Sequence, residues 1–327
     1  MKQSRDLIRT SIGTAAALGL ISCRLTTKPT TVYLMTHSKE RCRANCAFCS
    51  QAKRSVSKPN RLSRVVWPTF DLNRVLESLT RSNCFQRVCV QALNYPGLFD
   101  DLLHIFTQLR EETHLPTSLS CQPLEEDQMR ELRNLGLDTI AIPLDAATPR
   151  LFDEVKGSAV EGPYSWKRHM KTLKEAVEVF GPGRVYTHLI VGLGETEQES
   201  LKAVQKLVDV GVNPALFAFT PLLGTKLEDR PPPPLDSYRR VQLGRFFLSG
   251  GHTRFEKMAF NRDGRVTDFG VRQKFFREVL LSGEPFFTSG CPGCNRPYYN
   301  ESPKGPIYNY PCLPKEEELA EIERELF

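Results

Sequence analysis

Three closely spaced cysteines are the residues of this sequence with the clearest capacity for chemistry. They form the pattern Cys42-Arg-Ala-Asn-Cys46-Ala-Phe-Cys49. Three thiolates from one loop can bind three irons of a four-iron, four-sulfur cluster and leave the fourth iron open to an external group. A structural zinc ion usually takes a fourth Cys or His ligand, and the nearby His37 lacks a usual zinc spacing to Cys42. The pattern therefore favours a cluster over zinc.

A second group of cysteines near the carboxyl end reads Cys291-Pro-Gly-Cys294. The Pro-Gly dipeptide is typical of a tight turn, which brings the two thiols together as in a metal knuckle or a redox pair. Zinc and a second iron–sulfur cluster are both open here, and we expect the cluster. Cys89 and Cys312 are the candidates for its other ligands. The remaining cysteines are expected to be buried thiols: Cys23, Cys84 and Cys121.

Length and composition place the chain among ordinary globular proteins. With 327 residues, 40% apolar and 25% charged, it is not predominantly disordered and fits one large barrel or two medium domains. Its ten cysteines are too few for a disulfide scaffold. Their close grouping favours metal binding over crosslinking.

Charge is distributed unevenly along the chain. Residues 1–64 carry a net charge of +11, residues 315–327 carry −4, and the remainder is near neutral. The basic segment contains the first cysteine group, so it favours anions and acidic partners near that group. No motif of an RNA- or DNA-binding module is present, and we expect no nucleic-acid partner.

An apolar stretch over residues 10–23 follows several basic residues and has the length of an export-signal core. Polar residues and glycines dilute it, and it is too short to span a bilayer. We expect a buried or amphipathic first helix instead. The protein is accordingly expected to be cytoplasmic, without a membrane segment.

Apolar spacing predicts alternating strands and helices from about residue 30 onward. The predicted strands are 31–36, 87–91, 115–120, 139–144, 185–191 and 215–220. The predicted helices are 70–81, 98–112, 125–135, 165–180, 197–210 and 235–248. Six strand–helix units in succession predict an α/β fold with a parallel sheet, and the length suits a partial or open TIM-type (β/α) barrel.

The alternation divides the chain into three parts. An N-terminal helical extension covers 1–29, the barrel core covers 30–282, and a C-terminal extension with the Cys-x-x-Cys motif and an acidic helix covers 283–327. Active sites of such barrels lie at the carboxyl ends of the strands. The first cysteine group begins six residues after the strand at 31–36 and is therefore predicted to lie at that end.

The three-cysteine pattern, with Phe48 directly before its last cysteine, resembles the signature of the radical S-adenosylmethionine (SAM) superfamily. The resemblance covers about residues 5–325. It implies that a four-iron cluster reduces SAM, releasing methionine and a 5′-deoxyadenosyl radical that takes hydrogen from a substrate. No catalytic side chain beyond the cluster ligands is implied. The resemblance implies this SAM site: Phe48, Gln91, Asn94, Asp145, Val191, Gly192, Gly194 and Glu195.

Some of these residues have a purely structural alternative. A turn or helix cap explains Asp145 equally well. Thr196 and Glu199 have the spacing of a capping box. A turn that leads into a helix would therefore account for the residue types after the strand at 185–191 without a SAM contact.

Within the superfamily, the sequence is similar to the biotin and lipoyl synthase group. Cys89 matches one auxiliary-cluster cysteine of biotin synthase, but Ser118 and Tyr186 stand at two others, and Pro143 replaces an asparagine that contacts substrate. Four segments resemble the second component of the archaeal-type two-subunit lipoyl synthase: 33–36, 46–52, 62–69 and 291–300.

That resemblance implies sulfur insertion into an octanoyl chain on a lysine of a lipoyl carrier domain, with sulfur from a consumed auxiliary cluster. The implied partners are the acidic carrier domain, a second radical SAM subunit and an external electron donor. Two alternatives stay open. One is another radical SAM reaction on a small molecule, such as a biotin synthase-like, mutase or cofactor-assembly step. The other is a non-enzymatic zinc-binding interaction protein.

Overall fold

The computed structural model describes residues 6–326, so the parts of the predicted extensions at 1–5 and 327 lie outside the described residues. The strands are β1 Leu7–Thr10, β2 Thr31–Thr36, β3 Arg61–Leu62, β4 Val65–Val66, β5 Thr69–Asp71, β6 Arg87–Gln91, β7 Thr117–Ser120, β8 Thr139–Ala141, β9 Val185–Val191, β10 Asn213–Ala218, β11 Ala259–Phe260 and β12 Val266–Asp268. The helices are α1 Ile12–Ala17, α2 Leu72–Thr80, α3 Leu98–Glu112, α4 Glu126–Asn134, α5 Pro149–Val155, α6 Trp166–Phe180, α7 Glu197–Asp209, α8 Leu235–Ser249, α9 Gln273–Ser282 and α10 Glu316–Leu326.

Eight strands form one sheet in the order β10-β9-β8-β7-β6-β2-β1-β5. All neighbours from β10 to β2 are parallel, and β1 is antiparallel to both β2 and β5. Parallel neighbours need crossover connections, which helices α2, α3, α4, α6 and α7 supply. The α/β fold with a mostly parallel sheet is confirmed.

The amino-terminal segment differs from the predicted first helix. Residues 7–10 form a strand between β2 and β5, and the helix covers only Ile12–Ala17. The Ser11 hydroxyl begins this helix by accepting a hydrogen bond from the Thr14 N–H at 3.2 Å. The open edge of β2 offers backbone hydrogen bonds to residues 7–10, and such non-local pairing leaves no periodic signal in a short segment.

The other predicted strands and helices are present, with ends that differ by at most three residues. The acidic C-terminal helix is α10. Helices α5 and α9 were not predicted. No helix within residues 6–326 combines the length and apolar character needed to cross a bilayer.

Alternation along the strands separates the helix-facing core from the barrel interior. Val32 and Leu34 of β2 belong to the large core cluster between sheet and helices, as do Val88 and Val90 of β6. The apolar face of α2 packs into the same cluster. The intervening residues of these strands, including Cys89, line the interior.

The sheet does not close on itself, because β10 and β5 are both edge strands. Loops after β2 and β10 bridge the gap at the carboxyl ends of the strands. The Leu227 N–H donates to the Ala47 carbonyl at 3.2 Å, and the Val56 N–H donates to the Gly224 carbonyl at 2.9 Å.

The C-terminal segment 288–300 bridges the same gap closer to the amino ends of the strands. On one side, the Ser289 hydroxyl accepts from the Leu216 N–H of edge strand β10 at 2.8 Å. On the other side, Asn295 Oδ1 accepts from the Thr30 N–H at 3.0 Å. The segment thereby becomes part of the barrel wall.

Candidate functional site

A cavity of about 240 Å³ lies inside the barrel. Inward-facing side chains of β2, β6, β7, β9 and β10 line it together with the loops described above. Both cysteine groups face this one cavity: Cys42, Cys46, Cys49, Cys89, Cys291 and Cys294. A largely apolar cavity with a few convergent reactive groups is the expected form of an active site.

The first cysteine group lies in the loop after β2, as predicted. Backbone donors approach two of its sulfurs: the Asn94 N–H lies 3.3 Å from Cys42 Sγ, and the Gln51 N–H lies 3.4 Å from Cys49 Sγ. Donors of this kind stabilise negative charge on sulfur. The loop is therefore shaped to hold thiolates.

Burial raises the pKa of the Cys46 thiol well above its ordinary value and that of Cys49 to about 12. The neighbouring thiols raise both further, and the Lys156 ammonium opposes this at Cys46. Metal binding releases such protons, because the thiolate is the ligand. Three adjacent thiols that face one cavity fit a four-iron cluster, in which each thiolate binds its own iron.

Within residues 6–326, no three His, Cys, Asp or Glu side chains converge closely enough for one metal ion to hold them all. A four-iron cluster does not require such convergence, because each thiolate binds a different iron.

Four residues of the implied SAM site line the same cavity: Phe48, Gln91, Asn94 and Asp145. The Asn94 amide donates to the Tyr164 hydroxyl at 2.8 Å. The Gln91 amide donates to Cys89 Sγ at 3.2 Å. Gln91 therefore contacts the second cysteine group as well as facing the space beside the first.

Asp145 forms an ion pair that the sequence did not predict. Its Oδ2 lies 2.7 Å from Nζ of the fully buried Lys156. Asp145 has a φ of 67°, in the left-handed region that Asp tolerates better than most residues. The ammonium also donates to the Pro143 carbonyl and lies near the ring of Tyr164. A buried cation thus lies beside the first cysteine group.

The other four residues of the implied SAM site do not line this cavity. Val191, Gly192, Gly194 and Glu195 border a separate pocket of about 200 Å³ beside Arg230–Pro234. The Glu195 carboxylate turns back and accepts from the Gly192 N–H at 2.6 Å. The role of these four residues in SAM binding stays a prediction.

Ile190, directly before these residues, lines the cavity from β9. The capping box of Thr196 and Glu199 is confirmed.

The second cysteine group has three of its four predicted members together. Cys89 faces inward from β6, and the C-terminal segment brings Cys291 and Cys294 to it. Burial raises the pKa of the Cys89 thiol, and Cys291 and Cys294 raise it further because they are close. The Tyr33 hydroxyl lies 3.4 Å from Cys294 Sγ. Cys312 is exposed and does not line the cavity.

The remaining cysteines divide differently from the prediction. Cys121 is buried, as expected, and also lines the cavity. Cys23 and Cys84 are exposed, so the prediction of buried thiols was wrong for both. Each lies in a loop between elements, where apolar periodicity gives no indication of burial.

Several cavity residues were missed by the sequence analysis. The Arg296 guanidinium lies 3.8 Å from the ring centre of Phe217, whose ring also contacts His188 at 4.7 Å. Burial lowers the pKa of His188 to about 3, so its imidazole is neutral. Alternation along β9 would have identified His188, since Tyr186 and Ile190 at alternate positions also face the cavity. No comparable pattern marks Arg296.

Known proteins resemble this chain in sequence and in fold. Curated biotin synthases are similar to the chain: the one from Pelobacter propionicus is 25% identical over 218 residues, which are 64% of this chain and 62% of that protein. The one from Heliobacterium modesticaldum is 28% identical over 171 residues, 52% of this chain and 49% of that protein. The chain therefore spans less than two thirds of the length of these relatives.

Solved structures share the fold. Methylornithine synthase superposes with a TM-score of 0.54 at 15% identity, over 73% of this chain and 67% of that chain. The hydrogenase maturase HydG from Carboxydothermus hydrogenoformans gives 0.51 at 15% identity, over 88% and 63%. The family model described as the radical SAM superfamily matches residues 38–207, just over half of the chain and the whole first cysteine group. The chain belongs to the radical SAM superfamily.

Proposed function

We propose that this chain inserts sulfur into an octanoyl chain carried on a protein, as a component of a lipoyl synthase. One observation carries the proposal: Cys291 and Cys294 reach Cys89 inside the cavity that the first cysteine group also faces. Radical generation needs only the first group. A second thiol group facing the same space fits an auxiliary cluster that donates sulfur.

The two groups would hold different clusters. Cys42, Cys46 and Cys49 would each bind one iron of the SAM-binding cluster, and Cys89, Cys291 and Cys294 would bind the auxiliary one. With SAM bound, the first cluster supplies a 5′-deoxyadenosyl radical that can take hydrogen from an unactivated C–H bond.

The cavity wall supports an apolar substrate. Leu62, Leu93, Phe219 and Leu222 line it together with aromatic residues of the strands. Such a wall buries methylene groups at about 0.8 kcal/mol each and excludes water from a radical. The cavity wall would hold the reacting carbon within about 3–3.5 Å of the atom with which it reacts.

The proposed partners follow from this chemistry. They are an acidic carrier domain that presents the octanoyl-lysine, a second radical SAM subunit and an external electron donor for the cluster.

A second candidate is a biotin synthase-like reaction on a free small molecule, which the similarity to biotin synthases favours. Ser118 and Tyr186 line the cavity where that family has further cluster cysteines. In both candidates the sulfur comes from the auxiliary cluster, so the substrate distinguishes them.

The test is an anaerobic assay of reconstituted protein with SAM, a reductant and an octanoylated carrier domain, with and without the second radical SAM subunit. Mass spectrometry follows sulfur on the carrier, and chromatography follows 5′-deoxyadenosine. We expect Cys89→Ser to form 5′-deoxyadenosine without adding sulfur, and Cys46→Ser to do neither. Cys312→Ser, which removes an exposed cysteine, should behave like wild type.

Sulfur insertion by Cys89→Ser at the wild-type rate would refute the auxiliary cluster. An active protein that contains only about four irons per chain, the content of one cluster, would also refute the auxiliary cluster. Sulfur added to dethiobiotin but not to an octanoyl chain would select the second candidate.

A further inference from the structure

Two apolar side chains project into solvent at the end of the barrel where the first cysteine group lies. Val56 is 85% exposed and Leu223 is 88% exposed. Two exposed apolar side chains on neighbouring loops form an apolar patch. Exposed apolar patches that are rimmed by polar residues are typical of interaction sites.

Hydrogen bonds between two loops hold this pair together. The Val56 N–H donates to the Gly224 carbonyl at 2.9 Å, and the Ser57 hydroxyl donates to the Leu223 carbonyl. Gly224 has a φ of 83°, and a Cβ there would lie 2.5 Å from the Ser57 nitrogen. The close approach of the loops therefore depends on this glycine, and the exposed pair is a fixed feature.

The same loops also line the cavity. Ala52 lies four residues before Val56, and Leu222 lies directly before Leu223; both face the interior. A molecule bound over the exposed pair would therefore lie at the entrance of the cavity.

Positively charged side chains lie on both of the loops that carry the exposed pair. Lys53, Lys58 and Lys226 are exposed, and none forms an ion pair with any residue of 6–326. Glu161 pairs with Arg54, and Glu228 accepts from the Gly224 N–H. Glu228 and the exposed Asp229 follow Lys226 closely in the sequence, so the net positive charge is concentrated beside Lys53 and Lys58. The surface thus combines an apolar centre with a basic rim, and we name Val56, Leu223, Lys53, Lys58 and Lys226 the mouth patch.

We infer that the mouth patch docks an acidic carrier protein whose acyl-lysine enters the cavity. This inference rests on the proposed function and assigns it a surface. Opposite charge favours the encounter, and burial of the two apolar side chains supplies the centre of the contact. A small free substrate would need neither.

Binding of an octanoylated acidic carrier domain to the reconstituted protein tests the inference. The variants are Val56→Ser with Leu223→Ser, and Lys53→Glu with Lys58→Glu. Matched controls are Leu281→Ser and Lys274→Glu, which alter an exposed leucine and an exposed lysine on α9.

We expect the apolar double variant to raise Kd about tenfold or more, as loss of a central contact does. The charge double variant should weaken binding and lose most of its salt dependence, because salt screens exposed charges. Turnover of a short octanoyl-lysine peptide without the carrier domain should be unchanged in both variants.

Wild-type affinity in both double variants would overturn the inference, as would equal losses in the controls. Failure of the wild-type protein to bind the carrier, or self-association of the chain through the mouth patch, would overturn it as well. Binding through the patch without sulfur insertion into any octanoyl substrate would instead refute the proposed function and leave the docking surface standing.

Discussion

Replacing Lys156 with methionine should lower the free energy of unfolding by about 3–5 kcal/mol. Lys156 is fully buried, and its Nζ lies 2.7 Å from the carboxylate of Asp145, which is 7% exposed. At that separation two unit charges attract by roughly 6 kcal/mol with an effective dielectric constant of about 20. Desolvation offsets most of this attraction in the intact pair, but removal of the cation leaves an uncompensated buried carboxylate.

A second substitution separates the charge effect from lost packing. Asp145→Asn in the Lys156→Met background removes the unpaired charge, and asparagine tolerates the left-handed backbone at this position. The double variant should regain most of the lost stability. Arg150→Met, which breaks an exposed pair with Glu154, should cost less than about 1 kcal/mol.

Urea unfolding of anaerobically prepared protein measures these differences from the midpoints at constant m. The measurement is made with and without bound iron, so that cluster stabilisation is subtracted. A loss below about 1 kcal/mol for Lys156→Met would refute the reasoning. So would a double variant no more stable than the single one.

Three further predictions concern stability away from the cysteines. Burial lowers the pKa of His169 to about 2. The free energy of unfolding should therefore be constant above about pH 6.5 and fall below it, with a loss of roughly 2 kcal/mol at pH 5, because the unfolded state binds a proton that the folded state does not. In urea titrations, His169→Gln should remove this pH dependence, whereas His114→Gln, at an exposed site, should keep it. Gly224→Ala should cost more than about 1 kcal/mol, because φ is positive and the Cβ meets a neighbouring backbone; an unchanged Tm would contradict this. Arg240→Met should cost about 3–5 kcal/mol, since it leaves Glu197 buried and unpaired; calorimetry that finds less than 1 kcal/mol would exclude it.

Local patterns in the sequence determined most of the fold. Apolar periodicity placed the six predicted strand–helix units to within three residues, because each of these elements must bury one face against the sheet or the helices. The spacing of Cys42, Cys46 and Cys49 predicted a cluster loop after β2, since all three ligands lie within eight residues of the chain.

Interactions between distant segments could not be predicted in the same way. Cys89 and Cys291 are about two hundred residues apart and meet only because the C-terminal segment fills the gap beside β10. Cys312, closer in sequence to Cys291, stays exposed. Proximity in the sequence therefore does not determine which cysteines form the second group.

The glycine loop after β9 illustrates the same limit. Its residue types predict a SAM contact, whereas in the structure the loop borders a separate pocket and the Glu195 carboxylate accepts from the Gly192 N–H. Residue types and spacing determined the superfamily to which this chain belongs. The tertiary structure decided which side chains share the cavity, because side-chain direction and the packing of distant segments are set only when the whole barrel forms.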